Sequence, residues 1–172
     1  MSEKWKENDL YLETYILKSL RKEKKVTTDQ FVQLILSGIN CYCKDLKPEG
    51  FEKKCSVDIF TKSLFKMKKD RKILLRKLME ETDFYYSNEE YLSDDIDLTL
   101  TNFQISQIIS FNNPDFYTFE IELKDESSKY FIKDFIELHK NLNITEEKIK
   151  HYSEMFLNIY IQEKQKLAGT RS

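Results

Sequence analysis

The chain has 172 residues, 40% of them hydrophobic and 13% aromatic, with a net charge of −2. That is enough apolar mass for one domain with its own core, and twelve Phe and ten Tyr exclude wholesale disorder despite 34% charged residues. With only Gly38, Gly50 and Gly169 there is no Walker loop, no dinucleotide fingerprint and no Gly-x-Ser-x-Gly elbow, so the common nucleotide-dependent and serine-hydrolase chemistries have no footing.

The net charge hides an asymmetry. Met1 to Lys77 carry 19 basic against 11 acidic residues, and Leu78 to Glu137 carry 3 against 15. The remainder, Leu138 to Ser172, is close to balance with 6 against 4. A sign change of this size points to an interaction surface or to halves that neutralise each other. Lys outnumbers Arg by 24 to 4, and Gly, Pro and Ala are scarce. This is the codon bias of an AT-rich genome, and a low-GC bacterium, its phage or plasmid, or an AT-rich virus fits it. The N-terminus "MSEKWKENDLY" is polar, and no stretch is apolar enough to span a bilayer, so no membrane partner is expected. Three cysteines fit a reducing compartment. The expected location is the cytoplasm of a bacterium or of an infected host cell.

In chain order, residues 1–8 are expected to be flexible. Asp9 caps a first helix carrying Leu12, Ile16 and Leu20 on one face. Thr27 and Gln30 form a capping-box pattern ahead of a helix that turns Phe31, Leu34, Ile35 and Tyr42 inward. "KDLKPEGFEKK" is a loop. From Ser56, the residues Val57, Phe60, Leu64, Met67, Leu74, Leu75 and Leu78 share one stripe at helical period, with a break read near Asp70. Lys62, Lys66, Lys69, Lys72, Arg76 and Lys77 fall on the other face. Then "DFYYSNEEYLSDDIDLTLT" predicts a hairpin turning near Asn88 and Glu89, with Ile96, Leu98 and Leu100 alternating as a strand. "NNPD" predicts a turn and "FYTFEIELK" a strand with Tyr117, Phe119, Ile121 and Leu123 on one face. Ser127 or Ser128 is read as the cap of a helix carrying Phe131, Phe135, Leu138 and Leu142. Asn143 with Glu146 is read as the cap of the last helix, which turns Ile149, Tyr152, Phe156 and Tyr160 inward and runs to about Gln165. Residues 168–172 should fray.

The expected fold is therefore helix-dominated α+β, with about five helices and a small antiparallel hairpin or three-stranded sheet. Residues 9–167 are read as one compact domain, its basic helical part at 9–77 and its acidic hairpin and C-terminal helices at 78–167.

Four patterns bear on chemistry. Pro114-Asp115 followed by Glu122-x-Lys124 resembles the PD-(D/E)xK nuclease pattern. On one strand, however, Asp115 and Glu122 would stand ~23 Å apart, too far to share a metal. The acids Glu89, Glu90, Asp94, Asp95 and Asp97 lack the glycine and spacing of a calcium loop. Cys41, Cys43 and Cys55 are one ligand short of a structural zinc site and read as free thiols. No metal or cofactor is expected. The order helix, helix, basic helix, hairpin over residues 9–101 resembles the winged-helix layout. That resemblance implies that residues 56–69 enter the major groove and residues 84–100 form the wing, although an acidic wing would be repelled by phosphate.

The functional expectation is a non-enzymatic regulatory or inhibitory interaction protein that binds a protein or nucleoprotein. Its sites would be the acidic aromatic segment Tyr85, Tyr86, Glu89, Glu90, Tyr91, Asp94, Asp95 and Asp97, the basic face, or both. Tyr is favoured at interface centres, and a charged rim speeds association with a partner of opposite sign. The alternative is a winged-helix-like DNA-binding regulator that uses the basic helix 56–77 and dimerises through its C-terminal helix.

Overall fold

A computed structural model describes residues 25–112 and 116–170. The helix read from Asp9 and the turn at 113–115 lie outside the described residues. Helix α1 (Thr28–Tyr42) starts at the capping box read from the sequence: the Thr27 side chain accepts from Gln30 N, and the Gln30 side chain accepts from Thr27 N. It buries Phe31, Val32, Leu34, Ile35, Leu36 and Ile39, so apolar side chains cover most of its circumference. That is the pattern of a central helix, and α4, α5 and α6 all pack on it. Gly38 lets α6 approach, because a Cβ there would stand 2.1 Å from Ser153 Oγ. Tyr42 is only half-buried.

After a short 3-10 turn (Lys44–Leu46), strand β1 (Cys55–Ser56) leads into α2 (Val57–Lys68). Ser56 caps α2 by accepting from Ile59 N. Phe60, Leu64 and Met67 are buried, and the stripe continues through Leu75 and Leu78 of α3 (Ile73–Leu78). The helix breaks between Lys68 and Ile73, where the Asp70 carboxylate accepts from Lys72 N at 2.9 Å. The break read near Asp70 is therefore present. Val57 and Leu74 sit at the stripe's half-buried edges.

Strands β2 (Tyr85–Ser87) and β3 (Glu90–Leu92) form a two-stranded hairpin whose turn is Asn88-Glu89. Both turn residues have positive φ, 51° and 68°, as tight hairpin turns require. Beyond Leu92 the strand reading fails. Residues 94–105 are helix α4 (Asp94–Ile105). Ser93 caps it, accepting from Ile96 N, and Asp94, Asp95 and Asp97 occupy its first turn, where the helix dipole favours acids. Ile96 and Leu100 are buried on one helical face with Phe103, while Leu98 is 62% exposed. Asp95 and Asp97 thus lie in the first turn of a helix, and the wing expected over 84–100 ends at Leu92.

Strands β4 (Ile109–Phe111) and β5 (Thr118–Ile121) complete a three-stranded antiparallel sheet in the order β1–β5–β4, with Cys55 opposite Phe119 and Ile109 opposite Ile121. Helix α5 (Asp125–Leu138) begins earlier than its serines suggested. Ser128 is buried inside it and accepts a hydrogen bond from Asn40 Nδ2, which ties α5 to α1. Leu138 is exposed, since the inward face is carried by Ile132 and Phe135. Helix α6 (Glu146–Gly169) is capped by Thr145, not Asn143; Asn143 is in the left-handed region, with φ 51°. Ile149, Tyr152, Phe156 and Tyr160 are buried as read, and the helix runs past Gln165. The described residues thus form a helix-dominated α+β fold of six α-helices with antiparallel sheets of three and two strands. No helix among them is long and apolar enough to cross a membrane.

Candidate functional site

The basic face is divided by what each lysine meets. Lys62 and Lys66 are not free, because α6 lies along α2 and presents Glu163, 2% exposed, to both. Lys62 Nζ is 2.8 Å from Glu163 Oε2 and Lys166 Nζ is 2.9 Å from Oε1, and Lys66 joins them on Oε1. Burial pushes the Glu163 carboxyl up, but the hydrogen bonds from Lys62, Lys66 and Lys166 outweigh it and hold the carboxyl at about 2. Lys62 and Lys66, which periodicity places on the basic face, are thus engaged in an ion-paired cluster with Glu163. Lys69 lies over the Phe65 ring, 4.4 Å from its centroid. Lys72 Nζ approaches His151 Nε2 at 3.0 Å. Among the described residues, Arg71, Lys72, Arg76 and Lys77 have no ion-pair partner, and Ile73 between them is 74% exposed. Arg71 is exposed and belongs to this corner, because it lies in the break between Lys68 and Ile73 and not on a helix.

The acidic aromatic segment is divided as well. Tyr91 stacks on Phe65 at 4.1 Å and 23°, and Phe84 meets the same ring at 5.7 Å. Tyr86 tilts against Tyr91 at 4.9 Å but remains 62% exposed. Lys68 holds the base of the hairpin by donating to Thr82 O and pairing with Asp83. So the hairpin is docked on the basic helix α2 by one face. On its other face Tyr85 donates through its hydroxyl to Asp94 Oδ1 at 2.8 Å, which seats the hairpin beside the start of α4. Asp95 accepts from Asp83 N. Partial burial pushes the Asp97 carboxyl up, and neighbouring Asp94 and Asp58 add to the shift. None of Glu89, Glu90, Asp94, Asp95 and Asp97 is ion-paired among the described residues.

Sequence reasoning missed two members of this surface. At ~100° per residue, Asp94, Leu98 and Ile105 fall within ~40° of one another on α4. Leu98 is 62% exposed and Ile105 76% exposed. Leu98 lies one turn beyond Asp94, the acceptor of the Tyr85 hydroxyl, and Ile105 lies ~10 Å further along the same face. The signal that could have found them was Ser93 followed by three acids, a helix start.

A cleft of about 320 Å³ opens between the hairpin tip, the start of α2 and the end of α6. Asp58, Lys62, Glu89, Glu90, Tyr91 and Glu163 line it. The buried carboxylate among them, Glu163, is held ionised by lysines. The thiols lie elsewhere. Burial raises all three, Cys43 to about 11 and Cys55 to about 12, which makes them weak nucleophiles. Among the described residues no group of His, Cys, Asp and Glu side chains is placed to hold a metal. Glu122, half of the nuclease-like pattern, accepts from Ser110, and Asp115 lies outside the described residues.

No family model, curated protein or solved structure matches this chain. The functional reading therefore rests on its surfaces.

Proposed function

We propose that this chain is a non-enzymatic interaction protein that binds a basic protein partner through the acidic face formed by the β2–β3 hairpin and the outer side of α4. One observation carries the reading: Tyr85 and Leu98 stay exposed beside the acids that open α4, none of which has an ion-pair partner among the described residues, and Ile105 extends the same helix face. An apolar centre with a charged rim is the anatomy of a protein interface, and its sign selects a basic partner. A regulator or inhibitor of a low-GC bacterium, phage or plasmid would act this way, by covering a basic site on its target.

The winged-helix-like alternative has less support. A recognition helix must leave one face open to the groove, whereas α2 has α6 along one side and the hairpin on another. Two of its lysines are engaged by Glu163.

The test is retention of basic proteins from a low-GC bacterial lysate on three immobilised chains: the native protein, Leu98→Ser/Ile105→Ser, and Arg76→Glu/Lys77→Glu. The expected result is a basic protein held by the first and third and lost by the second. Equal retention by all three would overturn the reading. Duplex DNA binding that falls steeply with salt and is lost in Arg76→Glu/Lys77→Glu would favour the alternative.

A further inference from the structure

We infer that the basic corner at α3 docks on the acidic face of a second copy, so that the chain self-associates head to tail through two oppositely charged surfaces. The inference rests on the reading of the acidic face as a docking surface, and it assigns that face a partner.

The corner has the same anatomy as the acidic face with the sign reversed. Arg71, Lys72, Arg76 and Lys77 surround Ile73, which is 74% exposed. A wholly solvated Lys/Arg face has no use for an isoleucine at its centre. A phosphate backbone would use the four cations and leave Ile73 idle. A lipid surface needs a broader apolar face than the six-residue α3 provides. A protein surface with exposed Tyr85 and Leu98 beside the acids of α4 matches both parts of the corner.

The hairpin tip and the basic corner are too far apart to neutralise each other within one molecule. Lys72 meets His151 near the start of α6, while the hairpin tip shares its cleft with Glu163 near the end of that helix. The twelve residues between His151 and Glu163 span ~18 Å at ~1.5 Å per residue. The Debye length at physiological ionic strength is ~8 Å. The acids of the hairpin tip and the cations of the corner therefore keep their own fields, and the complementary field is offered by another copy. Because two different patches meet, the contact is heterologous. It leaves one free patch of each sign at the ends and builds open or ring-closed assemblies, not only dimers.

The test is sedimentation velocity of the full chain at low and at high salt, with circular dichroism to confirm that each variant folds. The native chain is expected to associate at low salt and to dissociate as salt rises. Arg76→Glu/Lys77→Glu and Glu89→Lys/Glu90→Lys should each weaken association by at least about ten-fold. Mixing the two variants should restore a one-to-one pair, since one keeps its acidic face and the other its basic corner. A native chain that stays monomeric at low salt overturns the inference, as does association that neither variant weakens or a mixture that does not pair. A monomeric chain that still retains a basic protein in the capture experiment overturns this inference alone. Duplex DNA binding by a monomer, lost in Arg76→Glu/Lys77→Glu, would overturn it and assign the corner to nucleic acid.

Discussion

Replacing Glu163 by Gln tests the link between α2 and α6. The carboxyl is held at about 2 against an ordinary 4.5, because hydrogen bonds from three lysines outweigh its burial. A carboxyl depressed that far would contribute at most about 3 kcal/mol at neutral pH. The lysines are 40%, 35% and 65% exposed, so water screens them and they can swing free when the carboxylate is removed. The expected loss in Glu163→Gln is therefore about 1–2 kcal/mol at neutral pH, below the cost of stranding a buried charge. The sign follows from the depressed value: the contribution is full above pH about 4.5 and is lost as pH falls toward about 2. Urea midpoints of native and variant chains should thus differ at neutral pH, and the gap should shrink by more than half by about pH 3. A gap of equal size at both pH values would show that Glu163 stabilises by packing and not by charge.

Two further substitutions probe the contacts that position the surfaces. Gly38→Ala gains ~1 kcal/mol of helix propensity but places a Cβ 2.1 Å from Ser153 Oγ and 2.9 Å from Ile149 Cγ2. Overpacking costs ~1–3 kcal/mol, so Tm should fall; a raised Tm in calorimetry would mean that α6 yields at no cost. Phe65→Ala removes the ring on which Tyr91 and Phe84 rest. A two-stranded hairpin is marginal alone and an aromatic pair is worth ~0.5–1.5 kcal/mol, so amide exchange at residues 84–92 should quicken roughly ten-fold. The amides of α1 should hardly change, and protection that stays intact at the hairpin would show that Phe65 does not anchor it.

Features set by neighbours in sequence were legible without the structure. The Thr27–Gln30 capping box, the Asn88-Glu89 turn and the stripe from Val57 to Leu78 with its break at Asp70 all follow from local backbone preferences and helical period. Where two periods fit the same residues, the reading went astray. Ile96, Leu98 and Leu100 alternate as a strand would, yet Ile96, Leu100 and Phe103 also share a helical face, and the Ser93 cap decides for the helix.

The sequence by itself determined the helix-rich α+β class, the most deeply buried side chains of α1 and α6, and the sign change along the chain. Apolar periodicity and charge are local properties of the residues themselves. Only the tertiary structure decided which charges remain available. Glu163 takes Lys66 from a distance of 97 residues along the chain, and Phe65 draws Tyr91 and Phe84 inward while Tyr85 and Tyr86 stay out. A charge is neutralised, or an aromatic covered, by whatever the fold carries beside it, and no spacing along the sequence encodes that neighbour.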